Sequence, residues 1–407
     1  MLGVTLCQGV RADFQTHSDF EELVVDQGLT LSAVIDTAFH HFPQQALIGA
    51  YEEEARALEQ RSTSWIAGYP MIYLQYIDDS LISNYGISDI QSGYQIPLWM
   101  WGQKEASEKV TEQAAAAVER YGKALRHEIA GLVRNSLWSI RIAEIRRDFA
   151  ENVQGVSEEL LRIIQRRVEL GDLAKTDLLL AESDALGKKT LLIHAEVELQ
   201  NARKAYQNLT RISHLPAHYD ENLTNAKELD DHHPALAAAT ASVERAQAEV
   251  DFVRLSKQGN QPSVMIGTDS TSVDRQREYG TGTNLVFQIP IGGDDWHAPQ
   301  VAQASVALNE KLAQRETLFR QLEKALHDAH RTLELDQNAL GIANRRKSLA
   351  ETQLKMSQVA LEAGEIALID FLKIQETAQA ALKDAAERAV LVQRDIATLN
   401  QVLGVTP

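Results

Sequence analysis

The chain has 407 residues, 44% of them hydrophobic and 24% charged, which is enough apolar content to bury a sizeable core and too much for intrinsic disorder. Its net charge of −17, with no block of lysine or arginine, argues against nucleic acid as a partner. The single cysteine, Cys7, excludes an internal disulfide framework and any CxxC site, and no run of 18 apolar residues offers a transmembrane helix, which leaves a β-barrel open.

Residues 1–12, MLGVTLCQGVRA, are mostly apolar and close on Val-Arg-Ala before Asp13. They read as a signal-peptide remnant, the back half of a secretory signal without its basic front, the alternative being an ordinary floppy terminus. Cys7 as a lipid anchor would need a small residue before it, and Leu6 stands there. From residue 29 onward the chain divides into two copies of one unit, 29–216 and 217–407, because ordered landmarks recur at nearly one offset. Pro43 answers Pro234 at 191 and Pro70 answers Pro262 at 192. Gln95-Ile96-Pro97 answers Gln288-Ile289-Pro290 at 193, and Gly171 with Asp177 answers Gly364 with Asp370 at 193 again.

Each copy reads as helix, two strands, long helix, helix. The strands are expected near 71–77 and 92–98, and near 263–269 and 284–290. Ser92, Tyr94, Ile96 and Leu98 share one face, with Gly93, Gln95 and Pro97 on the other, and Leu285, Phe287 and Ile289 alternate with Asn284 and Gln288. Superposing the copies puts Tyr94 over Phe287 and Ile96 over Ile289 outward, and Gln95 over Gln288 inward. Strands of about ten residues suit a tilted membrane crossing. Four of them cannot close a barrel, and an open sheet in lipid leaves its edge amides unsatisfied, so several chains must share one barrel. Three copies give twelve strands. Proline after Gln-Ile stops the ladder, and Trp99 and Trp101 follow where an aromatic belt meets headgroups. The alternative is a pair of tryptophans capping a soluble sheet.

Beyond each strand pair, residues 98–215 and 300–406 contain no proline, which permits long helices. Ile145, Phe149, Val153, Val156, Leu160, Ile164 and Val168 form an apolar stripe, and a helix from about Gln103 to Leu170 measures roughly 100 Å. Such a helix needs neighbours along its whole length, as in a coiled coil. Leu170-Gly171-Asp172-Leu173 and Ala363-Gly364-Glu365-Ile366 break the helical pattern with glycine and then resume it, as tight hairpins require. Between the copies, Asp230, Asp231, His232 and His233 offer carboxylate and imidazole to zinc or cobalt, yet they also read as a solvated loop and helix start. GKKT at 187–190 has Glu182 where a phosphate loop needs glycine, and HEIAG at 127–131 lacks the second histidine of a zinc protease helix.

LTLSAVIDTAF near the start, GYQIPLWMWGQ and NLVFQIPIGG before the long helices, and RRVELGDLAKTDLLLAES and LEAGEIALIDFLKIQETA at the tips together resemble the TolC-type outer membrane efflux proteins. PLWMWGQ and DLLLAE are most similar to that family's heavy-metal, cobalt-zinc-cadmium branch. The resemblance implies a mainly α fold with a small β part: a coiled-coil helical barrel across the periplasm joined to a trimeric twelve-stranded barrel in the outer membrane of a Gram-negative bacterium. It implies a homotrimer in a lipid bilayer that docks a periplasmic adaptor (membrane fusion) protein and a proton-driven inner-membrane pump, with no catalysis and no cofactor. Leu170, Gly171, Leu173, Gly364 and Ile366 match the docking tips, and Asp177 and Asp370 the aspartates of the periplasmic aperture. Lys373 stands where some relatives place a second aspartate, and Ile366 where a gating arginine can occur. Asp177 and Asp370 also read as charges at helix starts. A drug or polypeptide duct of the same family and, in another class, a soluble coiled-coil scaffold are the competing readings. The scaffold predicts no strands with an apolar outward face.

Overall fold

The computed structural model describes residues 23–224, 226, 228–256, 261–274 and 278–407, so segment 1–12 and Cys7 lie outside the described residues. The elements are β1 (Val24–Asp26), α1 (Leu31–His41), α2 (Gln45–Thr63), β2 (Met71–Asp78), β3 (Ser88–Pro97), α3 (Gln103–Glu169), α4 (Lys175–Thr210), β4 (His214–Pro216), α5 (Pro234–Leu255), β5 (Ser263–Ser272), β6 (Gly280–Gln288), α6 (Asp294–Glu362) and α7 (Leu368–Val402). The fold is mainly helical with a small β part. Helices α3 and α6 run for 67 and 69 residues, roughly 100 Å each.

Local chemistry sets the boundaries. Thr30 caps α1 by accepting from the Ala33 N–H at 3.2 Å, and Pro43 separates α1 from α2. The expected limits of α3 agree with those observed to within a residue. Both long helices start behind a left-handed glycine, Gly102 at φ 73° and Gly293 at φ 85°. One difference concerns proline: α6 begins before Pro299, which sits in its second turn, where a missing N–H costs one rung close to the helix end. Two features were not announced by the pattern. The helical segment before β2 is split into α1 and α2, and β1 pairs in parallel with β4, Val24 opposite His214.

The main sheet is antiparallel in the order β2-β3-β5-β6, which leaves β2 and β6 as edges. Strand β3 starts four residues earlier than expected, at Ser88, and Ile289 falls just past β6. Ile72, Tyr94 and Ile266 lie in one cross-strand row, as do Ile96, Val264 and Phe287, and this face is apolar and largely exposed. The opposite face is polar near the helices, where Gln95 Nε2 donates to Ser263 Oγ at 2.9 Å and to Gln288 Oε1 at 3.2 Å. Between the two central strands Gly267 leaves no room for a side chain: a Cβ would stand 2.1 Å from the Ser92 carbonyl oxygen and 2.8 Å from the Tyr73 hydroxyl.

The helices form one layer below the sheet. Next to the strands the order is α2-α3-α5-α6, and towards the far end it is α4-α3-α7-α6. Helix α1 seals the middle, packing Val34, Ile35 and Ala38 against Leu125, Ile129, Val133 and Leu137 of α3 and Leu199 and Tyr206 of α4.

Candidate functional site

At the far end each hairpin turns through the same cap. The Gly171 N–H bonds the Val168 carbonyl at 3.0 Å and the Asp172 N–H the Arg167 carbonyl at 2.9 Å. In the second hairpin Gly364 bonds Leu361 at 3.1 Å and Glu365 bonds Ala360 at 2.8 Å. Both glycines have positive φ, 84° and 77°, as this two-bond cap demands. Nothing lies within 4 Å of where their Cβ atoms would be, so each glycine is kept for its backbone and not for want of room.

The predicted docking residues divide. Leu170 is 62% exposed beside Gly171, whereas Leu173 and Ile366 pack into the apolar cluster that joins the hairpins, against Ile164, Ala181, Leu368 and Phe371. Asp177 and Asp370 occupy matching places in the first turns of α4 and α7, each behind an extended alanine, Ala174 or Ala367. Asp370 is exposed and forms an ion pair with Lys373 at 3.6 Å. At the other end, Trp101 is 99% exposed, while Trp99 is half-buried and donates its indole N–H to the Ser64 carbonyl at 3.0 Å. Trp296, at 87% exposure, joins Trp101 at this level without having been singled out in the sequence.

The metal reading of residues 230–233 is corrected. His232 Nδ1 sits 3.0 Å from Asp230, Asp231 is 3.4 Å from Arg315, and His233 turns inward to cap α5 by accepting from the Ala235 N–H at 3.2 Å. Three different local bonds take these side chains in three directions. Among the described residues no group of three or more His, Cys, Asp or Glu side chains could hold a metal ion.

Sequence reasoning missed the lateral edges. On α4, Leu179, Leu186 and Ile193 are exposed, and on α6 so are Leu335, Ile342, Leu349 and Met356, each set at seven-residue spacing. The α6 stripe lies one residue, about 100° around the helix, from the buried positions Asp336, Ala343, Ala350 and Ser357 that face α7. One contact inside the chain has its counterpart positions on these edges. Ile142 of α3 packs in one cluster with Val390 of α7, and the positions 193 away from them, Leu335 and Val197, stand exposed on the two edge helices. The heptad spacing on α6 was the available signal.

No family model matches the chain. It is 24% identical over 297 residues to the cobalt-zinc-cadmium resistance protein CzcC of Cupriavidus metallidurans, covering 69% of each chain. Among solved structures it is similar to the outer membrane protein VceC of Vibrio cholerae, with TM-score 0.71 at 15% identity over 92% of this chain and 96% of that one. The CmeC outer membrane channel of Campylobacter jejuni matches with TM-score 0.69 at 15% identity over 92% and 85%.

Proposed function

We propose that this chain, which has the fold of the TolC-type outer membrane channels, is the exit duct of a tripartite efflux system in a Gram-negative bacterium. Three copies close a twelve-stranded barrel in the outer membrane and a helical tube across the periplasm. Substrates pass passively, delivered by a periplasmic adaptor and a proton-driven inner-membrane pump. Residues 29–216 and 217–407 are the two structural copies that build each protomer.

The observation that carries this reading is that the chain is unfinished on both sides at every level. Strands β2 and β6 have no outer neighbour among the described residues, and an unpaired edge is untenable in lipid. Below them, α4 and α6 hold out exposed apolar stripes, and at Val197 and Leu335 these answer, by position, the Val390–Ile142 contact inside the chain. A neighbour that brings α4 to α6 and β2 to β6 completes both. That joint is head-to-tail, the kind that generates rings. The exposed apolar face of the sheet runs against the soluble scaffold.

Heavy-metal cations are the proposed cargo, supported by the likeness to a cobalt-zinc-cadmium resistance protein; a drug or polypeptide duct is the second reading. Asp177 and Asp370, with Lys373 beside them, line the periplasmic aperture. Leu170, Gly171 and Gly364 meet the adaptor, with Leu173 and Ile366 bracing them from within, and Trp101 and Trp296 mark the membrane interface. Light scattering with detergent subtracted should give three chains per particle, and the particle should conduct in planar bilayers. A monodisperse monomer removes the barrel. A deletion strain that loses drug tolerance but keeps cobalt, zinc and cadmium tolerance moves the cargo to the second reading.

A further inference from the structure

Two buried histidines that conduction does not use meet where α7 ends. His127 of α3 is 5% exposed and His233, at the head of α5, is 4% exposed. Their rings pack edge to face with centroids 5.1 Å apart. Hydrogen bonds fix both tautomers. The Gln401 side-chain oxygen accepts from Arg134, which turns its amide nitrogen to His127 Nε2 at 3.1 Å, so that ring nitrogen accepts. His233 Nδ1 accepts from the Ala235 N–H. The ring protons therefore sit on His127 Nδ1 and His233 Nε2, where the Gln401 and Val402 carbonyls attract them without a well-formed hydrogen bond.

The surroundings are cationic. Arg134, on α3, is 3% exposed and lies bidentate on Glu221 of the β4–α5 connection at 2.7 and 2.8 Å. Arg134 also donates to the Val405 carbonyl at 3.2 Å, and Asn400 of α7 donates to Glu221 at 3.1 Å, so Glu221 is fully engaged. Helix α5 presents His233 and α7 presents neutral Gln401 and Asn400. No free carboxylate faces the pair among these groups.

We propose that His127 and His233 form an acid-released latch: in their neutral forms they hold the end of α7 and the head of α5 to α3, and a proton on either ring undoes that hold. A proton can enter only at the accepting nitrogens. On His127 it displaces the Gln401 amide, and on His233 it removes the cap of α5. The new cation then faces Arg134 and the other histidine. Burial first, then His233 and Arg134, accordingly push His127 down to about 4 from its ordinary 6.5, and burial lowers His233 too. The carbonyls of Gln401 and Val402 pull the other way, more weakly. Because the latched pKa is depressed, the unlatched state binds protons first. Latch stability is complete above pH 6.5 and is lost as pH falls towards 4.

The test is hydrogen exchange by mass spectrometry on the full-length protein in detergent at about pH 7 and about pH 5, corrected for the chemical exchange rate. A single latched histidine gives a roughly twentyfold rise in opening between these values. Peptides covering 217–236 and 396–407 should lose at least that protection while the α3–α4 hairpin does not change. His127→Gln with His233→Asn keeps a donor, an acceptor and a helix cap without a titrating ring, and should abolish the difference. Equal acid sensitivity in that double variant would overturn the latch, as would no acid loss in the parent. Should the variant fail to fold, C2–H exchange of the parent's own histidines decides: a His127 midpoint below 5 supports the latch and one at 6 or above refutes it.

Discussion

Replacing Ile342 with glutamate isolates the lateral seam from the fold of the protomer. Leu335, Ile342, Leu349 and Met356 are 62, 65, 57 and 68% exposed in the single chain. Complete burial of such a side chain contributes about 1.5–3 kcal/mol, so the exposed share leaves about 1–2 kcal/mol for each residue to gain, roughly 5 kcal/mol per seam from the α6 side. Ile342→Glu forfeits its own share and obliges the seam to desolvate a carboxylate, a loss of about 4 kcal/mol or more per seam. Threefold closure multiplies that to roughly 12 kcal/mol per ring. The isolated chain should hardly notice, since an exposed substitution on a helix usually costs within about 0.5 kcal/mol. Light scattering in detergent should show the trimer replaced by smaller species, with helical circular dichroism unchanged, and Leu349→Glu should behave alike. A trimer that persists in both variants with undiminished thermal stability would refute the assignment of this face.

At the tips, Gly171→Ala and Gly364→Ala should each cost about 1–2 kcal/mol of local stability through the left-handed backbone alone, visible as faster amide exchange at the turns of intact trimers. Tryptophan at both positions should abolish efflux while trimers still reach the outer membrane, and normal tolerance would take docking away from the tips. At the aperture, Asp177→Ala with Asp370→Ala should weaken cation selectivity in planar bilayers, arginine at both should reverse or block it, and Lys373→Ala alone should strengthen it. Reversal potentials unmoved in all three would leave the two aspartates as helix-start charges away from the pore.

What could be read in advance follows the range of the interactions involved. The ends of α3, the glycine turns and the four strands depend on proline, glycine and period, all local, and were legible. The split at Pro43 shows the limit, because the same proline reads as a helix start or as a break between two helices. β1 and β4 have three residues each, too few for alternation to register, and their pairing joins residues 190 apart. His233 stood between a loop or helix-start residue and a weak metal ligand because sequence gives adjacency without direction; its ring turns inward as a cap while Asp230 and His232 pair in solvent. Leu173 and Ile366 flank exposed glycines in sequence and are partly buried against the cluster joining the hairpins, a packing that adjacency does not announce. The edge stripes were visible in principle, but telling a seam from a core face needs the order of the helices.

The unequal sides of the protomer bear on genetics. One chain offers α4 and β2 on its left and α6 and β6 on its right, and these are different surfaces. In the proposed ring, a subunit damaged only on the right would still present a sound left side to healthy subunits, join them, and leave a gap that no further subunit could fill. A lesion confined to α6, co-expressed with the normal allele, would therefore be dominant, while a lesion that unfolds the whole chain would be recessive.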